Sequence, residues 1–389
     1  MRYSLFAVCV LCLPALSVAQ SGQTPPENAA INKAMQGFVD ADAIAGAVTL
    51  VGHRGKIVHL SAVGWADVEK QRPMKKGSLF AIASMTKPIV STAVMILQDE
   101  GKLSVDDKVS KYLPAFAEVK LQGGETPSRE MTIRDCVTHT AGLSGKQSFD
   151  GSLEEAVDAL AQRPVAFSPG ERWLYSPGLN VAGRIVEIVS QQPLDQFLKT
   201  KVFDPLRMNR ATFFLDEKQL RRVATLYKWN PAEKTLVPSK GFLGDYSQLT
   251  APNPSGGLFA TARDMFRFYQ MVLNGGMLRG QRIVSKGGVE AMISPQSGDL
   301  KTGFTPGNCW GLGWCLVREP QGTTGMFSKG TFGHGGAFGT QGWVDPETDT
   351  IYVMMIQRDG LINSDNSKMR RVFQQTAANQ LKEGEFENK

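Results

Sequence analysis

The segment Phe80-Ala81-Ile82-Ala83-Ser84-Met85-Thr86-Lys87 leads from a short apolar run into a predicted helix that ends at Gly101. Helical spacing of three residues places Ser84 and Lys87 on one face of this helix, one turn apart. A serine hydroxyl is a weak nucleophile until a neighbouring group removes its proton. A lysine amine can accept that proton only when burial or a nearby cation lowers its pKa from about 10.4. The segment therefore makes Ser84 a candidate nucleophile and Lys87 its candidate base.

The Ser-x-x-Lys pattern is weak by itself, because it occurs roughly once by chance in a chain of this length. An alternative is a surface helix that begins at this point with Ser84 as its N-terminal cap. The apolar residues 80–83 favour the chemical interpretation, because they are expected to bury the surroundings of the serine.

A second candidate element is Tyr175-Ser176-Pro177, which lies between Trp173 and a predicted helix beginning at Val181. A tyrosine on a loop can carry a proton between a nucleophile and a leaving group. The alternative for any single tyrosine is an aromatic side chain packed in the core, so this element gains meaning only beside the others.

A third candidate element is Gly333-His334-Gly335-Gly336-Ala337, within a predicted strand. Glycines in a strand let a substrate backbone lie close against it. The backbone amides of Ala337 and Ser84 could then bind the oxyanion of an acyl transfer reaction. A glycine-kinked strand with an exposed histidine is the alternative.

The hydrophobic pattern predicts strands near both ends of the chain and helices between them. The predicted strands are 47–52, 56–60, 311–317, 330–335, 340–344 and 350–357. The predicted fold class is α+β. A single antiparallel sheet is built from both chain ends and flanked by terminal helices at 31–39 and 367–381, with a mostly helical lobe inserted at about 105–295.

In order and spacing, these elements resemble the serine β-lactamase-like group, whose Ser-x-x-Lys signature is well known. The group includes class C β-lactamases, family VIII carboxylesterases, D-aminopeptidases and DD-carboxypeptidases. The resemblance runs from about 31 to 380 and extends to the segments 131–135, 138–143, 175–183, 256–265 and 311–314.

The resemblance implies the penicillin-recognising serine hydrolase fold and a reaction through a transient acyl-enzyme. Ser84 matches the nucleophile that becomes acylated, and Lys87 matches the lysine of the same motif. Tyr175 matches the tyrosine that exchanges protons with the serine.

Two departures from the pattern of this group concern substrate binding. His334-Gly335-Gly336 stands where many β-lactamases have Lys-Thr-Gly, so a fixed cation for a substrate carboxylate is missing. Pro177 replaces an Asn that contacts the acylamino group of substrates, and Asn180 is a candidate substitute. The resemblance thus implies His334, Gly335, Gly336 and Asn180 as substrate-binding residues. Protonation of His334 near pH 6 is expected to restore part of the missing charge.

Both departures favour an esterase or peptidase over an efficient β-lactamase, and short-chain esters are expected to be better substrates than cephalosporins. The expected partner is a small-molecule ester, amide or β-lactam, and no cofactor is expected. A class C-like β-lactamase is the alternative within the group. A non-hydrolytic protein that binds cell-wall peptides or antibiotics is the alternative from another class. The presence of Ser84, Lys87 and Tyr175 counts against it.

The segment Ser364-Asp365-Asn366 reproduces a motif of class A β-lactamases, where it lies between the serine motif and Lys-Thr-Gly. Here it follows His334 and precedes the last predicted helix. It is therefore interpreted as a helix-capping loop without a catalytic role.

The composition sets limits on other functions. Among 389 residues the net charge is +6, and the lysines and arginines are scattered, so no nucleic-acid surface is expected. No zinc-ligand spacing occurs among the histidines, so no metal is expected. Those histidines are His53, His59, His139 and His334. The sequence lacks a Gly-x-Ser-x-Gly elbow, which argues against an α/β-hydrolase.

The amino-terminal residues predict export. Arg2 is followed by the apolar run 5–16 and by Ser17-Val18-Ala19, which is the pattern of a secretory signal peptide. The alternative is a membrane anchor, but the run is too short to cross about 30 Å of hydrocarbon. We expect a signal peptide at 1–19, a flexible lead-in at 20–30 and a catalytic domain at 31–382. The mature protein is expected to be periplasmic or secreted, without stable membrane insertion after cleavage.

Three cysteines follow the predicted signal peptide, namely Cys136, Cys309 and Cys315. The last two flank residues 310–314, which are predicted to be extended. Six residues of strand span about 20 Å, too far for a disulfide unless the segment folds back. Buried free thiols are therefore expected.

Overall fold

The structure, a computed structural model, describes residues 26–145, 151–303 and 305–386. The predicted signal peptide at 1–19 lies outside these residues. The described α-helices are α1 Ala29–Asp40, α2 Thr86–Asp99, α3 Ile133–Thr138, α4 Leu153–Ala161, α5 Gly178–Ser190, α6 Leu194–Leu198, α7 Asp204–Leu206, α8 Glu217–Leu220, α9 Ala262–Leu273, α10 Lys286–Met292 and α11 Lys368–Lys382.

The described strands are mostly short and lie in four sheets. They are β1 Gly46–His53, β2 Lys56–Asp67, β3 Arg72–Pro73, β4 Phe80–Ala81, β5 Tyr227–Asn230, β6 Thr235–Pro238, β7 Phe259–Ala260, β8 Met277–Leu278, β9 Gln281–Arg282, β10 Asn308–Trp310, β11 Cys315–Val317, β12 Phe332–Gly335, β13 Gln341–Asp345, β14 Thr350–Ile356 and β15 Arg358–Asp359.

The principal sheet has eight strands in the order β10-β11-β12-β13-β14-β1-β2-β3, and its neighbouring strands are antiparallel. The two halves of the chain meet where β1 pairs with β14, with Ala47 opposite Ile356 and His53 opposite Thr350. The prediction of one antiparallel sheet built from both chain ends is confirmed.

Both faces of this sheet are covered, because successive residues of a strand point to opposite sides. Val51 and Tyr352 pack on the side of α1 and α11. Leu50 and Val353 pack on the opposite side, in the same core as α2 and α9. The predicted coverage by terminal helices is therefore confirmed, and the second face supports the inserted lobe, which contains α3–α10 and the short strands β5–β9.

Helix α2 is buried from Thr86 to Leu97 and packs against α5 and β12. A helix with twelve consecutive buried residues lies in the interior of the protein, not on its surface. The alternative of a surface helix capped by Ser84 is therefore wrong. Ser84 itself lies in a 3-10 turn, Ala83–Met85, immediately before α2, and its side chain does not cap either helix.

The prediction of a continuous strand at 311–317 is wrong. Residues 311–314 form the turn between β10 and β11, where Gly313 has a φ of 76°. Cys309 and Cys315 therefore lie on adjacent strands of a hairpin, and the predicted separation of about 20 Å does not apply. The two thiols are free because Cys309 belongs to the core on one face of the sheet and Cys315 to the core on the other.

Candidate active site

The turn that carries Ser84 has an unusual backbone conformation. Ala83, just before the serine, has a φ of 45°, which non-glycine residues rarely adopt. Hydrogen bonds fix the turn, because Thr86 Oγ1 donates to Ala83 O at 2.7 Å and Thr340 Oγ1 donates to Ile82 O at 3.0 Å. A strained conformation persists where its surroundings determine it in this way, and such positions cluster at functional sites.

Lys87 is in contact with the hydroxyl that it is predicted to activate. Its Nζ lies 3.1 Å from Ser84 Oγ and donates to Ser255 O at 2.6 Å. The residue is 2% exposed. Burial lowers the pKa of the Lys87 amine to about 7, although the negative charge of Asp365 acts in the opposite direction. A neutral amine is therefore accessible near neutral pH, as a base for the serine requires.

Tyr175 is also at the nucleophile, because its hydroxyl forms a hydrogen bond with Ser84. The Lys87 Nζ lies 4.6 Å from the centre of the Tyr175 ring. Burial raises the pKa of Tyr175 well above its ordinary value, and the hydrogen bond with Ser84 offsets only part of this shift. Tyr175 is thus a protonated phenol that can donate a proton, and Lys87 is the better base.

His139 positions Tyr175, a role that the sequence analysis did not predict. Its ring centre lies 4.5 Å from that of Tyr175, and its Nδ1 accepts a hydrogen bond from Ser176 N at 3.1 Å. Its backbone carbonyl accepts from Leu174 N at 2.9 Å. Contacts on both sides of Tyr175 therefore fix the loop. The histidine lies in the segment 138–143, which carried the family resemblance. Nothing in the sequence of this segment indicated that His139 contacts Tyr175.

The strand β12 brings Gly336 and Ala337 against the serine turn. A Cβ atom on Gly336 would lie 2.5 Å from Ile82 O, so glycine is required for this approach. Within the described residues, neither the Ser84 amide nor the Ala337 amide donates to another protein group. Both amides are thus available for a substrate oxygen, as an oxyanion hole requires.

A cavity of about 800 Å³ opens beside Lys87 and Tyr175. Much of its lining is apolar or aromatic, and the side chains that give it this character are Phe213, Phe242, Leu243, Leu249 and Ala251. This volume lies within the range of small-molecule binding sites, about 300–1,000 Å³. Lys87 and Tyr175 therefore line a cavity of a size suited to a small molecule, and Ser84 contacts both of them.

These contacts join the three elements that the sequence analysis singled out. The sequence model of the β-lactamase family, described as "Beta-lactamase", matches residues 31–377. The chain belongs to this family. The resemblance inferred from the motifs is thereby confirmed.

Individual proteins are also similar to this chain over most of its length. Protein Rv1367c of Mycobacterium tuberculosis is 32% identical, covering 82% of this chain and 87% of that protein. Esterase EstB of Burkholderia gladioli is 30% identical, covering 78% of this chain and 83% of that protein. The solved structure of "EstCE1, a hydrolase with promiscuous acyltransferase activity" has a TM-score of 0.77 at 23% identity, covering 90% of this chain and 97% of that one. The chain is a serine hydrolase of the β-lactamase fold.

His334 stands where many β-lactamases have the lysine of Lys-Thr-Gly. It is 2% exposed, and its Nδ1 lies 2.6 Å from Gly335 O. Because a carbonyl oxygen can only accept, Nδ1 carries the proton. Burial, together with the charge of Lys87, lowers the pKa of His334 to about 4. The expectation that His334 becomes charged near pH 6 is therefore wrong, and so is the alternative that it is exposed. His334 is neutral over the ordinary pH range.

Asn180 lies three residues after Pro177, which occupies the place of the family's asparagine. Its Oδ1 accepts a hydrogen bond from Ser255 N at 2.8 Å, and Ser255 O is the acceptor for Lys87. Asn180 thus holds Ser255, the residue whose carbonyl accepts the hydrogen bond from Lys87. It also lines the cavity, so its predicted contact with substrate stays a prediction.

Asp365 is a charged residue at the site to which the sequence analysis assigned no role. The 3-10 turn Ser364–Asn366 does precede α11, as expected of a capping loop, but Ser367 supplies the cap. A Cβ atom on Gly335 would overlap with Asp365 Oδ1. The Ser-Asp-Asn motif was the available signal. Because the motif follows β12 in the chain, its order gave no indication that the fold places Asp365 against Gly335 of β12.

The acid limb of the pH profile is the first prediction. Below the Lys87 pKa of about 7 the amine is protonated and cannot accept the serine proton. The kcat/KM for an ester without ionisable groups should therefore fall about tenfold per pH unit below that value and level off above it. Initial rates between about pH 5.5 and 9 measure this dependence.

Replacement of Lys87 by Arg is the matched control, because a guanidinium keeps its proton throughout this range. Lys87→Arg should lower the rate at least about a hundredfold at every pH. A wild-type profile that is flat between about pH 6 and 8 would contradict the assignment of Lys87 as the titrating base.

Proposed function

We propose that this chain is an exported carboxylic ester hydrolase that acts through an acyl-enzyme on Ser84. The observation that carries the proposal is the double contact of the Ser84 hydroxyl, with the Lys87 amine on one side and the Tyr175 phenol on the other. One group is suited to accept a proton near neutral pH and the other to donate one.

The acylation step follows from these contacts. Neutral Lys87 takes the proton of Ser84 as Oγ bonds to the ester carbonyl carbon, and the amides of Ser84 and Ala337 bind the resulting oxyanion. When the intermediate collapses, the bond to the alcohol oxygen breaks and Tyr175 protonates that oxygen. The proton held by Lys87 then restores the phenol. Water releases the acyl group by the reverse sequence, with the proton returning to Ser84 Oγ.

The charges at the site favour esters over β-lactams. A β-lactam antibiotic presents a carboxylate, and the neutral His334 offers it no cation. A hydrogen bond to a neutral group contributes about 0.5–1.5 kcal/mol, whereas one to a charged group contributes about 1.5–3 kcal/mol. An ester requires only the nucleophile, the proton path and the oxyanion site. The name of EstB, an esterase, supports the same choice.

The cavity supports esters with a substantial apolar group. Its volume of about 800 Å³ exceeds what a short acyl chain fills, and Phe213, Phe242 and Leu249 offer apolar surface. Burial of such surface contributes about 25 cal/mol per Å². Short-chain esters should be hydrolysed, and esters with longer or bulkier apolar groups should bind more tightly because they bury more apolar surface in the cavity.

The nucleophile is tested by Ser84→Ala, which should abolish ester turnover and labelling by a fluorophosphonate probe, because no other residue forms the acyl bond. Tyr175→Phe keeps the ring beside His139 and removes the hydroxyl, so it should lower kcat about a hundredfold or more. The measurements are ester kinetics and mass spectrometry of the labelled peptide.

Ser91→Ala is the matched control for the nucleophile variant. Ser91 lies on α2 one turn beyond Lys87, and within the described residues its buried Oγ has no hydrogen-bond partner. This variant should keep both labelling and turnover. A probe adduct on another residue, or full activity of Ser84→Ala, would refute the mechanism. A wild-type protein that binds penicillin without hydrolysing any ester would instead support the non-hydrolytic alternative.

Substrate preference is tested by comparing a short p-nitrophenyl ester with a chromogenic cephalosporin. The ester should have the higher kcat/KM between about pH 5.5 and 8. Because His334 does not gain a charge in this range, the cephalosporin rate should not rise toward acid. A cephalosporin that is the better substrate at every pH would favour the class C-like alternative.

Export is supported by the sequence pattern of residues 1–19, Arg2 followed by an apolar run and small residues. Among the described residues, no helix is long and apolar enough to cross a membrane. Expression of the full chain in a Gram-negative host should give periplasmic protein that begins at Gln20. Amino-terminal sequencing of the fractionated protein checks this, and an intact Met1 in the cytoplasmic fraction would refute it.

A further inference from the structure

We propose that Asp365 makes the active site discriminate by charge, so that it disfavours substrates with a carboxylate near the scissile bond and favours neutral or cationic ones. This inference rests on the proposed ester hydrolase function and adds a substrate class to it. The observation behind it is the position of the Asp365 carboxylate against β12, at the glycine that replaces the threonine of Lys-Thr-Gly.

The carboxylate occupies the space where a side chain at position 335 would lie. A Cβ atom there would overlap with Asp365 Oδ1 and lie 2.6 Å from Gln341 Nε2. Gly335 and Asp365 are therefore complementary, because a threonine at 335 would displace the aspartate. The residue that would help to bind a substrate carboxylate is absent, and a carboxylate of the protein takes its place.

The Asp365 side chain is held in this position. Gln341 Nε2 donates to its Oδ1 at 3.1 Å, and Arg370 Nη1 donates to its backbone carbonyl at 2.6 Å. The Arg370 guanidinium is fully buried, 4.0 Å from the centre of the Trp343 ring. It contacts the backbone of Asp365 from the interior, and its charge also interacts with the half-buried carboxylate, which lies against Gly335 of β12.

The charge of Asp365 reaches the reacting groups. Its field acts on Lys87, Tyr175 and His334, each of which lies at or beside the nucleophile. His334 is neutral, and Lys87 is neutral when it acts as the base. In the reactive state, therefore, no group on β12 offsets the negative charge of Asp365, and the cation that interacts with it is Arg370 of α11.

The side of the substrate that meets this charge follows from Tyr175. Tyr175 protonates the leaving oxygen, and its ring centre lies 6.1 Å from that of His334 on β12. The cavity of about 800 Å³ does not include β12 in its lining. The charge discrimination should therefore act on the leaving group, while the cavity receives the apolar part of the substrate.

The test uses three phenyl acetates that differ only in the charge of a meta substituent. They are 3-acetoxybenzoate, its neutral methyl ester and 3-(trimethylammonio)phenyl acetate. Wild-type kcat/KM should be lowest for the anion after correction for alkaline hydrolysis rates. Asp365→Asn keeps the shape and the acceptor for Gln341. It should raise the anion-to-neutral ratio of kcat/KM about tenfold and lower the cation-to-neutral ratio.

Asp245→Asn is the matched control, because Asp245 lies on the cavity wall but is exposed to solvent. Screening should keep the change in its anion-to-neutral ratio below about twofold. Asp365→Ser, which also removes the charge, should reproduce the effect of Asp365→Asn if the latter folds poorly. Thermal unfolding reports the folding of each variant.

Equal ratios in wild-type and both Asp365 variants would overturn the inference and leave the ester hydrolase function intact. The same would follow if Asp245→Asn changed the ratios as much as Asp365→Asn, because a general field would then explain the effect. A wild-type enzyme that hydrolyses none of the three esters would overturn the proposed function and, with it, this inference.

Discussion

The burial of the Lys87 amine is the constraint on which the rest of the site depends. A charged group is unfavourable in this position, so the neutral amine becomes accessible beside Ser84. A buried amine also needs acceptors, and the Ser255 carbonyl, held by Asn180, supplies one. These groups come from the inserted lobe, whereas Lys87 begins the helix that packs between the lobe and the sheet. The proposed base is therefore formed only where these two parts of the fold meet.

The pairing of β1 with β14 is the constraint on which the proposed oxyanion site depends. It closes a sheet from distant parts of the chain and so fixes β12, through β13, relative to the serine turn. The contact between them is close, because Thr340 bonds to Ile82 and Gly336 leaves no room for a side chain. A shift of the strand would separate the Ala337 amide from Ser84. The close packing of protein interiors explains why such geometry is held without a covalent link.

The site combines residues that match the catalytic motifs of the β-lactamase family with different charges where a substrate is expected to bind. Ser84, Lys87 and Tyr175 form one connected set, whereas the charged lysine of Lys-Thr-Gly is replaced by a neutral, buried histidine. The proposed proton path is independent of the groups that hold the remainder of the substrate. We therefore expect changes of charge on β12 to alter the substrate class without a change of the proposed nucleophile.

The sequence by itself determined the strands at both chain ends, the helical middle, and Ser84, Lys87 and Tyr175 as candidates, because periodicity and motif spacing are local properties. It failed where the outcome depended on distant residues. Burial by the whole fold, and not the identity of His334, decides that this histidine is neutral. Asp365 follows β12 by 30 residues in chain order, yet returns to Gly335 because the turn before α11 packs against the sheet. The hairpin at 311–314 likewise required Gly313 to meet Val137 and Ser91, contacts that no local pattern contains. Local sequence thus named the candidate reacting groups, and tertiary packing set their protonation and the charges around them.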